Sequence, residues 1–221
     1  MPPLPEIKPE MPETPARRGD WIQTFTGRKF WPLDPRAEDV CIWDIAHALA
    51  MKCRYTGHCH SFYSVGQHSY LVSYLVPAED ALWGLLHDAA EAYLPDVARP
   101  LKKDMPDFHV IEARVMAAIC EKFGLQPEQP ASVTAADALI LGQEKRDLMA
   151  PGLSWGPIDT LPALGTIIPW PWQSTRANFI ARFNELAGQS ERGHFLTWSN
   201  ALTTRSSAPA WRPMERKVRL F

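Results

Sequence analysis

The sequence predicts an all-α protein, and three features of the chain indicate this class. Apolar residues recur at intervals of three and four along most of the central chain, which is the period of an amphipathic helix. Capping residues and prolines mark where these segments begin and end. Strand-like alternation is confined to residues 24–31, where Gly27 marks the turn of one short hairpin. The expected architecture is a bundle of about six or more helices with extended segments at both ends.

The first three helices follow the hairpin. Residues 39–51 form the first helix, because their apolar positions share one face. The second begins at the sequence Ser-Val-Gly-Gln at residues 64–67, which has the form of a capping box, and it ends before Pro77. The third helix is predicted at residues 78–93, and Pro95 prevents its continuation.

The last three helices are longer or better delimited. The fourth covers residues 107–123 and is followed by Gly124, the residue type that most often ends a helix. The fifth and sixth, at residues 132–149 and 174–188, each begin at a serine that can cap the helix. Pro151 closes the fifth helix.

Composition divides the chain into one domain and two flanking segments. The 221 residues are 46% hydrophobic and 22% charged, which is typical of a folded globular protein and excludes wholesale disorder. Residues 1–20 are rich in proline and form an N-terminal extension, whereas residues 189–221 form a tail in which Lys and Arg outnumber acids. The domain itself is expected at residues 21–188.

Charge and hydropathy exclude several classes of protein. The formal net charge of −2 argues against a cationic protein that coats nucleic acid, so no stable nucleic-acid partner is expected. No apolar run approaches the roughly 18 residues that span a bilayer. The N-terminus also lacks the basic and apolar regions of a secretory signal. We therefore expect a cytoplasmic protein without a membrane partner.

The adjacent residues His87 and Asp88 are the first sign of chemistry. They lie in an apolar helical segment, where an ionised carboxylate costs several kcal/mol unless it is paired or binds a metal. Imidazole and carboxylate ligands together suit Zn, Mn, Fe or Co. Glu91, four residues after His87, lies on the same helical face. Taken alone, the dipeptide is better explained as a buried hydrogen-bonded pair, because two adjacent residues are weak evidence for a metal site.

His68 and Asp137 strengthen the metal interpretation. His68 is in the second predicted helix, and Asp137 interrupts an otherwise apolar turn of the fifth. Metal sites in helical bundles are built from inward side chains of facing helices. The sequence therefore predicts one site for a divalent transition-metal ion, Mn, Co, Zn or Fe.

The order His68, His87-Asp88, Asp137 resembles the signature of the HD-domain phosphohydrolase superfamily. The similarity is greatest to bacterial 5′-deoxynucleotidases and to phage dATP triphosphohydrolases, and it covers about residues 21–186. Further matching segments accompany the four residues: Arg54, residues 63–69, residues 87–91, Asp96 and residues 100–102.

The resemblance implies a role for each matching residue. Glu91 corresponds to the glutamate that acts on the water beside the metal, Arg54 to the arginine that holds the scissile phosphate, and Asp96 to an aspartate near the sugar. Tyr55 stands where the deoxynucleotidases have a tryptophan that favours deoxyribose, which leaves the sugar preference open. The four metal ligands correspond to His68, His87, Asp88 and Asp137.

Two further residues are candidates for substrate contacts. His58 lies in the loop between Arg54 and His68, where it would reach a phosphate or a base. Lys102 would reach phosphates further along a nucleotide, although it equally fits the solvated end of a loop.

The resemblance implies a metal-dependent phosphohydrolase that acts on nucleotides. Removal of the 5′-phosphate from (deoxy)nucleoside monophosphates is the leading expectation. Cleavage of a dNTP into nucleoside and triphosphate is the alternative, and a nucleotide-sensing module without turnover is a third. The relatives implied by the resemblance form dimers or larger rings, so a homodimer or larger homo-oligomer is expected.

Overall fold

The computed structural model of the protein describes residues 16–190, with side chains as far as residue 188. Seven helices and one two-stranded hairpin make up the described part, which confirms the all-α class. Residues 1–15 of the N-terminal extension predicted at 1–20, and residues 191–221 of the basic tail predicted at 189–221, lie outside it. The elements are β1 (Ile22–Gln23), β2 (Lys29–Phe30), α1 (Ile42–Met51), α2 (Val65–Val72), α3 (Ala81–Leu86), α4 (Arg99–Lys102), α5 (Pro106–Phe123), α6 (Ala131–Leu148) and α7 (Trp172–Ser190).

Helix α2 occupies the centre of the bundle. It contacts α1, α3, α6 and α7, and all of its residues except Tyr70 are buried. One apolar cluster on its α1 side includes Ile45, Leu49 and Phe179, and a second on its α6 side includes Val133 and Ile140. Because α2 lies between the two clusters, a polar side chain on this helix is shielded from bulk water.

The predicted start of α2 is confirmed. The Ser64 hydroxyl accepts a hydrogen bond from the Gln67 backbone N–H at 3.1 Å, as the capping box requires. Gly66 then lets α2 approach α1 closely, because a Cβ at this position would lie 3.1 Å from the Ala50 backbone nitrogen. The local sequence therefore fixes both the first turn of α2 and its spacing from α1.

The prediction of one continuous third helix at residues 78–93 is wrong. The segment breaks into a 3-10 turn at Ala78–Asp80, helix α3, and a second 3-10 turn at Ala89–Ala92. The His87 ring bonds through Nδ1 to the Gly84 carbonyl at 2.8 Å, the acceptor that a continuous helix would give to the Asp88 N–H. This break allows the neighbouring side chains of His87 and Asp88 to point toward the same place.

Two predicted helix starts are displaced by a few residues. Helix α6 begins after Pro130, and Ser132 lies inside it with its hydroxyl donated to Asp80. Helix α7 begins at Trp172 rather than at Ser174. The short helix α4 was not predicted, and it carries Pro100 in its first turn, where proline is tolerated.

The chain contacts the domain before residue 21. The Arg17 guanidinium donates to the Asp34 carbonyl at 2.8 Å and to the Asp39 carboxylate at 2.5 Å.

None of the helices in residues 16–190 combines the length and the hydropathy needed to cross a lipid bilayer.

Candidate metal centre

Three helices bring metal-ligating atoms to one point. His68 is on α2, His87 ends α3, and Asp137 is on α6. One ligand atom from each of these residues lies within 4.8 Å of the other two. His68 is fully buried, whereas the other two are partly exposed. The group could hold a metal ion.

The individual distances define the centre. The Nε2 atoms of His68 and His87 are 3.2 Å apart, and the first of them is also 3.2 Å from Asp137 Oδ1. Asp88 contributes Oδ2 at 3.3 Å from His87 Nε2 and at 3.7 Å from His68 Nε2. Asp88 therefore lies beside both imidazoles, whereas the group of described residues whose ligand atoms are all close to one another consists of His68, His87 and Asp137.

The outer nitrogens of both imidazoles are already occupied. His68 Nδ1 lies 2.7 Å from Glu144 Oε1, and His87 Nδ1 lies 2.8 Å from the Gly84 carbonyl. An ionised carboxylate and a carbonyl only accept, so each Nδ1 is the donor. In two neutral rings, both Nε2 lone pairs then face each other and repel unless a proton or a cation lies between them. Oriented imidazoles of this kind, with carboxylates beside them, fit a divalent ion.

The charges of the centre are set by its burial and by its neighbours. Burial alone would raise the pKa of Asp88, but the neighbouring His87, His68 and Arg54 hold it well below its usual value. Burial likewise opposes the ionisation of Asp137, yet its hydrogen bond to His68 lowers its pKa to about 2. Both carboxylates are therefore ionised, which favours a bound cation.

The His68 imidazole binds a proton strongly when no cation is present. Burial and the nearby Arg54 lower its pKa, but Glu144 and Asp137 outweigh them and raise the pKa to about 9. Burial would raise the pKa of Glu144, whereas Arg54 and His68 lower it. A metal ion must displace the His68 proton before it can bind Nε2.

Glu91 lies in the 3-10 turn that follows His87 and Asp88. Its Oε2 atom is buried and has no hydrogen-bond partner among the described residues. Burial, with the charges of Asp88 and Asp96 added, raises the pKa of Glu91 to about 9. In the metal-free protein this carboxyl group is therefore protonated at neutral pH, and it can accept a proton from a bound substrate or water only once it is ionised.

The centre opens into a cavity of about 840 Å³, a size typical of small-molecule sites. His58 does not reach it: this residue is exposed and follows the turn at Tyr55–Gly57. Lys102 lines the cavity, and its Nζ forms an ion pair of 2.5 Å with Glu112. The predicted site residues that line the cavity are Arg54, Tyr55, Asp88, Glu91, Asp96, Lys102 and Asp137.

Arg54 and Tyr55 lie at the entrance to a strained turn. Arg54 places NH1 3.5 Å from Asp88 Oδ2 and NH2 3.2 Å from Glu144 Oε2. Tyr55 has φ 56° and Thr56 has φ 53°, values that non-glycine residues adopt rarely. The Tyr55 hydroxyl donates to Glu144, and its ring centroid is 5.8 Å from that of Trp155.

Two residues of the site were not predicted from the sequence. Glu144 follows Asp137 by seven residues on α6, or two helical turns, so it lies on the same face. That spacing is the signal that would have identified it. Trp155 also lines the cavity. It lies in a segment rich in proline and glycine that has no periodicity from which its position could be predicted.

Comparison with known proteins places the chain in a family. No model of a known protein family matches the sequence. The chain is 40% identical over 170 residues to the uncharacterized protein YfdR of Escherichia coli, an alignment that covers 76% of this chain and 96% of YfdR. The chain belongs to the YfdR family. It is also 36% identical over 126 residues to an uncharacterized protein of Rhodobacter capsulatus, which covers 52% of this chain and 64% of that protein.

Proposed function

We propose that this protein is a metal-dependent phosphohydrolase of the HD-domain type that removes the 5′-phosphate from (deoxy)nucleoside monophosphates. The observation that supports it best is the pair of imidazole Nε2 atoms, 3.2 Å apart beside the carboxylates of Asp88 and Asp137 that line the cavity. Both rings are already hydrogen-bonded at Nδ1. A buried arrangement of this kind requires either a proton or a metal ion between the two rings, and the neighbouring carboxylates suit a metal ion.

The proposed ligands of the ion are the two imidazoles and the two carboxylates described above, His68, His87, Asp88 and Asp137. Ligands of this type admit Mn, Co, Zn or Fe. When bound, the divalent ion supplies positive charge for phosphate oxygens and lowers the pKa of an attacking water. The carboxylates of Asp88 and Asp137 together balance the formal charge of the divalent ion, so the phosphate dianion would be held by the open coordination positions of the ion and by the Arg54 guanidinium.

Two side chains of the cavity would act directly on the phosphate and on the attacking water. The Arg54 guanidinium presents a planar fork of N–H donors that matches phosphate oxygens. Glu91 has a buried and unpaired oxygen that can take the proton of the water. The positive charge of a bound cation opposes the effect of Asp88 and Asp96, so Glu91 is ionised more easily in the loaded site.

The remaining cavity wall fits a nucleoside. Part of this wall is an apolar and aromatic surface on which a base can pack, and it consists of Tyr55, Leu141, Trp155 and Ile158. Asp96 lines the same cavity and would accept a hydrogen bond from the sugar. The cavity volume of about 840 Å³ is sufficient for a nucleoside monophosphate.

A nucleoside triphosphate is a second candidate substrate, and the basic residues of the cavity favour it. Arg99 and Lys103 line the cavity, and neither forms an ion pair with another described residue. Their charges would suit β- and γ-phosphates. In that reaction the protein would release nucleoside and triphosphate.

Product analysis tests both proposals. The full chain is assayed with Mn²⁺, Co²⁺, Zn²⁺ and Fe²⁺ against nucleoside mono-, di- and triphosphates. Orthophosphate from monophosphates supports the first proposal, and tripolyphosphate from triphosphates supports the second. His87→Ala and Asp88→Ala are expected to abolish either activity. Nucleotide binding without turnover across the whole panel would instead indicate a sensing module.

A further inference from the structure

We infer that Glu144 is a positioning residue that links the metal centre to the turn of Arg54 and Tyr55. Its Oε1 atom orients the His68 ring, and its Oε2 atom holds the two residues of the turn. This inference rests on the proposed function and adds a residue that the resemblance did not supply.

The first half of the link is the bond to His68. Glu144 is fully buried, and its Oε1 lies 2.7 Å from His68 Nδ1. This acceptor keeps the proton on Nδ1 and leaves Nε2 free to bind a cation. Without it, the proton is able to move to Nε2, which removes the ligand atom. Because Asp137 is on the same helix, α6 fixes one ligand directly and a second through Glu144.

The second half of the link is the contact with the turn. Glu144 Oε2 forms an ion pair with Arg54 NH2 at 3.2 Å and accepts a hydrogen bond from the Tyr55 hydroxyl. Tyr55 and Thr56 have positive φ, a conformation that costs roughly 1–2 kcal/mol for a residue with a Cβ. Tertiary contacts must offset this cost, and the buried bond from Tyr55 to Glu144 is one of them. The bond directs the Tyr55 ring toward the cavity wall beside Trp155.

The two oxygens have separable effects. Loss of the whole carboxylate disturbs both the metal ligand and the turn. Loss of the Tyr55 hydroxyl alone disturbs only the turn, because Oε1 still accepts from His68. An amide at position 144 is intermediate, since it has one acceptor oxygen and cannot serve both sides.

Co²⁺ binding gives a readout that does not depend on turnover. Binding of Co²⁺ to the full chain is followed by calorimetry and by the visible absorption of the ion. We expect Glu144→Ala to weaken the affinity about 100-fold and Glu144→Gln about tenfold, the range typical of residues that orient a metal ligand. Tyr55→Phe keeps the affinity of the wild-type protein but raises KM for the nucleotide.

Asp147→Asn is the matched control. Asp147 is also on α6 and is partly buried, but it accepts hydrogen bonds from Gln143 and from the Ile167 backbone rather than from a ligand. The Co²⁺ affinity of the Asp147→Asn variant should equal that of the wild-type protein.

The outcomes separate this inference from the proposed function. If the wild-type protein binds Co²⁺ and both Glu144 variants bind it equally well, the inference is wrong while the proposed function stands. If the wild-type protein binds no divalent ion, both are wrong. Should Glu144→Ala fail to fold, Glu144→Gln decides the question, because it preserves the shape of the side chain.

Discussion

The Nε2 atoms of His68 and His87 face each other at 3.2 Å, although neither neutral ring has a proton to offer there. Both rings donate Nδ1–H elsewhere, to Glu144 and to the Gly84 carbonyl. Helices α2 and α3 pack against each other through the core and do not separate easily to relieve the repulsion. The fold itself therefore creates a place where a positive charge is stabilising.

Divalent metal should raise the melting temperature of the protein. At a free metal concentration of about 100 times Kd, a ligand that binds only the folded state adds about 2.7 kcal/mol. For a domain of this size that corresponds to a shift of about 5–10 °C in Tm. His87→Ala should abolish the shift, as measured by differential scanning fluorimetry with Mn²⁺ or Co²⁺.

The control for this measurement is His47→Ala. His47 stacks on Phe25 with a centroid distance of 3.9 Å and lies outside the metal centre. This variant should retain the full metal-dependent shift in Tm. A shift that persists in His87→Ala would contradict the four-ligand site.

Metal affinity should increase with pH up to about 9. Burial and Arg54 lower the pKa of His68, but Glu144 and Asp137 raise it to about 9, so a cation must displace one proton at neutral pH. Affinity then falls about tenfold for each pH unit below this value. Calorimetric titrations of Co²⁺ in two buffers of different ionisation enthalpy measure both the affinity and the released proton. An affinity independent of pH would show that His68 is not a ligand.

Several features of the site could be predicted from local sequence. The capping box at Ser64 and Gln67 depends only on residues within one turn, and it places His68 correctly in α2. The helical spacing of apolar residues likewise identified the segments that contain the other ligands. These signals are local, so they do not require knowledge of the tertiary contacts.

The features that the sequence did not reveal depend on tertiary contacts. Glu144 lies in the run Gln-Glu-Lys-Arg-Asp at residues 143–147, which has the composition of a solvated helix face. Only the approach of His68 and Arg54 from other segments explains its burial. The break after α3 is different, since the bond from the His87 ring to the Gly84 carbonyl that accompanies it is local and joins residues only three positions apart.

Glu91→Gln should reduce turnover about 10²- to 10⁴-fold while it leaves metal affinity within a few-fold of that of the wild-type protein. The amide cannot accept a proton from water, but Glu91 is not one of the proposed ligands. Initial rates and Co²⁺ titrations of the same preparation measure both effects. Loss of metal binding in this variant would instead make Glu91 a ligand.

The same variant should stabilise the metal-free protein at alkaline pH. Burial, Asp88 and Asp96 raise the pKa of Glu91 to about 9 in the folded state, above its ordinary value of 4.5. The wild-type carboxyl group therefore destabilises the fold progressively as pH rises from the unfolded pKa through the folded pKa. Glu91→Gln removes this penalty, so the variant should be clearly more stable than the wild-type protein at pH 8 and should differ little from it at pH 4.5. Urea unfolding at the two pH values tests the difference.

Gly66→Ala should destabilise the protein although alanine favours helices. A Cβ at position 66 would lie 3.0 Å from Thr175 Cγ2 and 3.1 Å from the Ala50 backbone nitrogen, and the backbone cannot yield without moving α2 away from α1. We expect a cost of about 1–3 kcal/mol in the free energy of unfolding, typical of overpacking.

Gly188→Ala is the matched control, because the α7 position has nothing within 4 Å of the added Cβ. It should gain about 0.4–1 kcal/mol. His68 follows Gly66 by half a helical turn, so Gly66→Ala should also reduce the metal-dependent shift in Tm. A full shift in this variant would show that α2 is not displaced from α1.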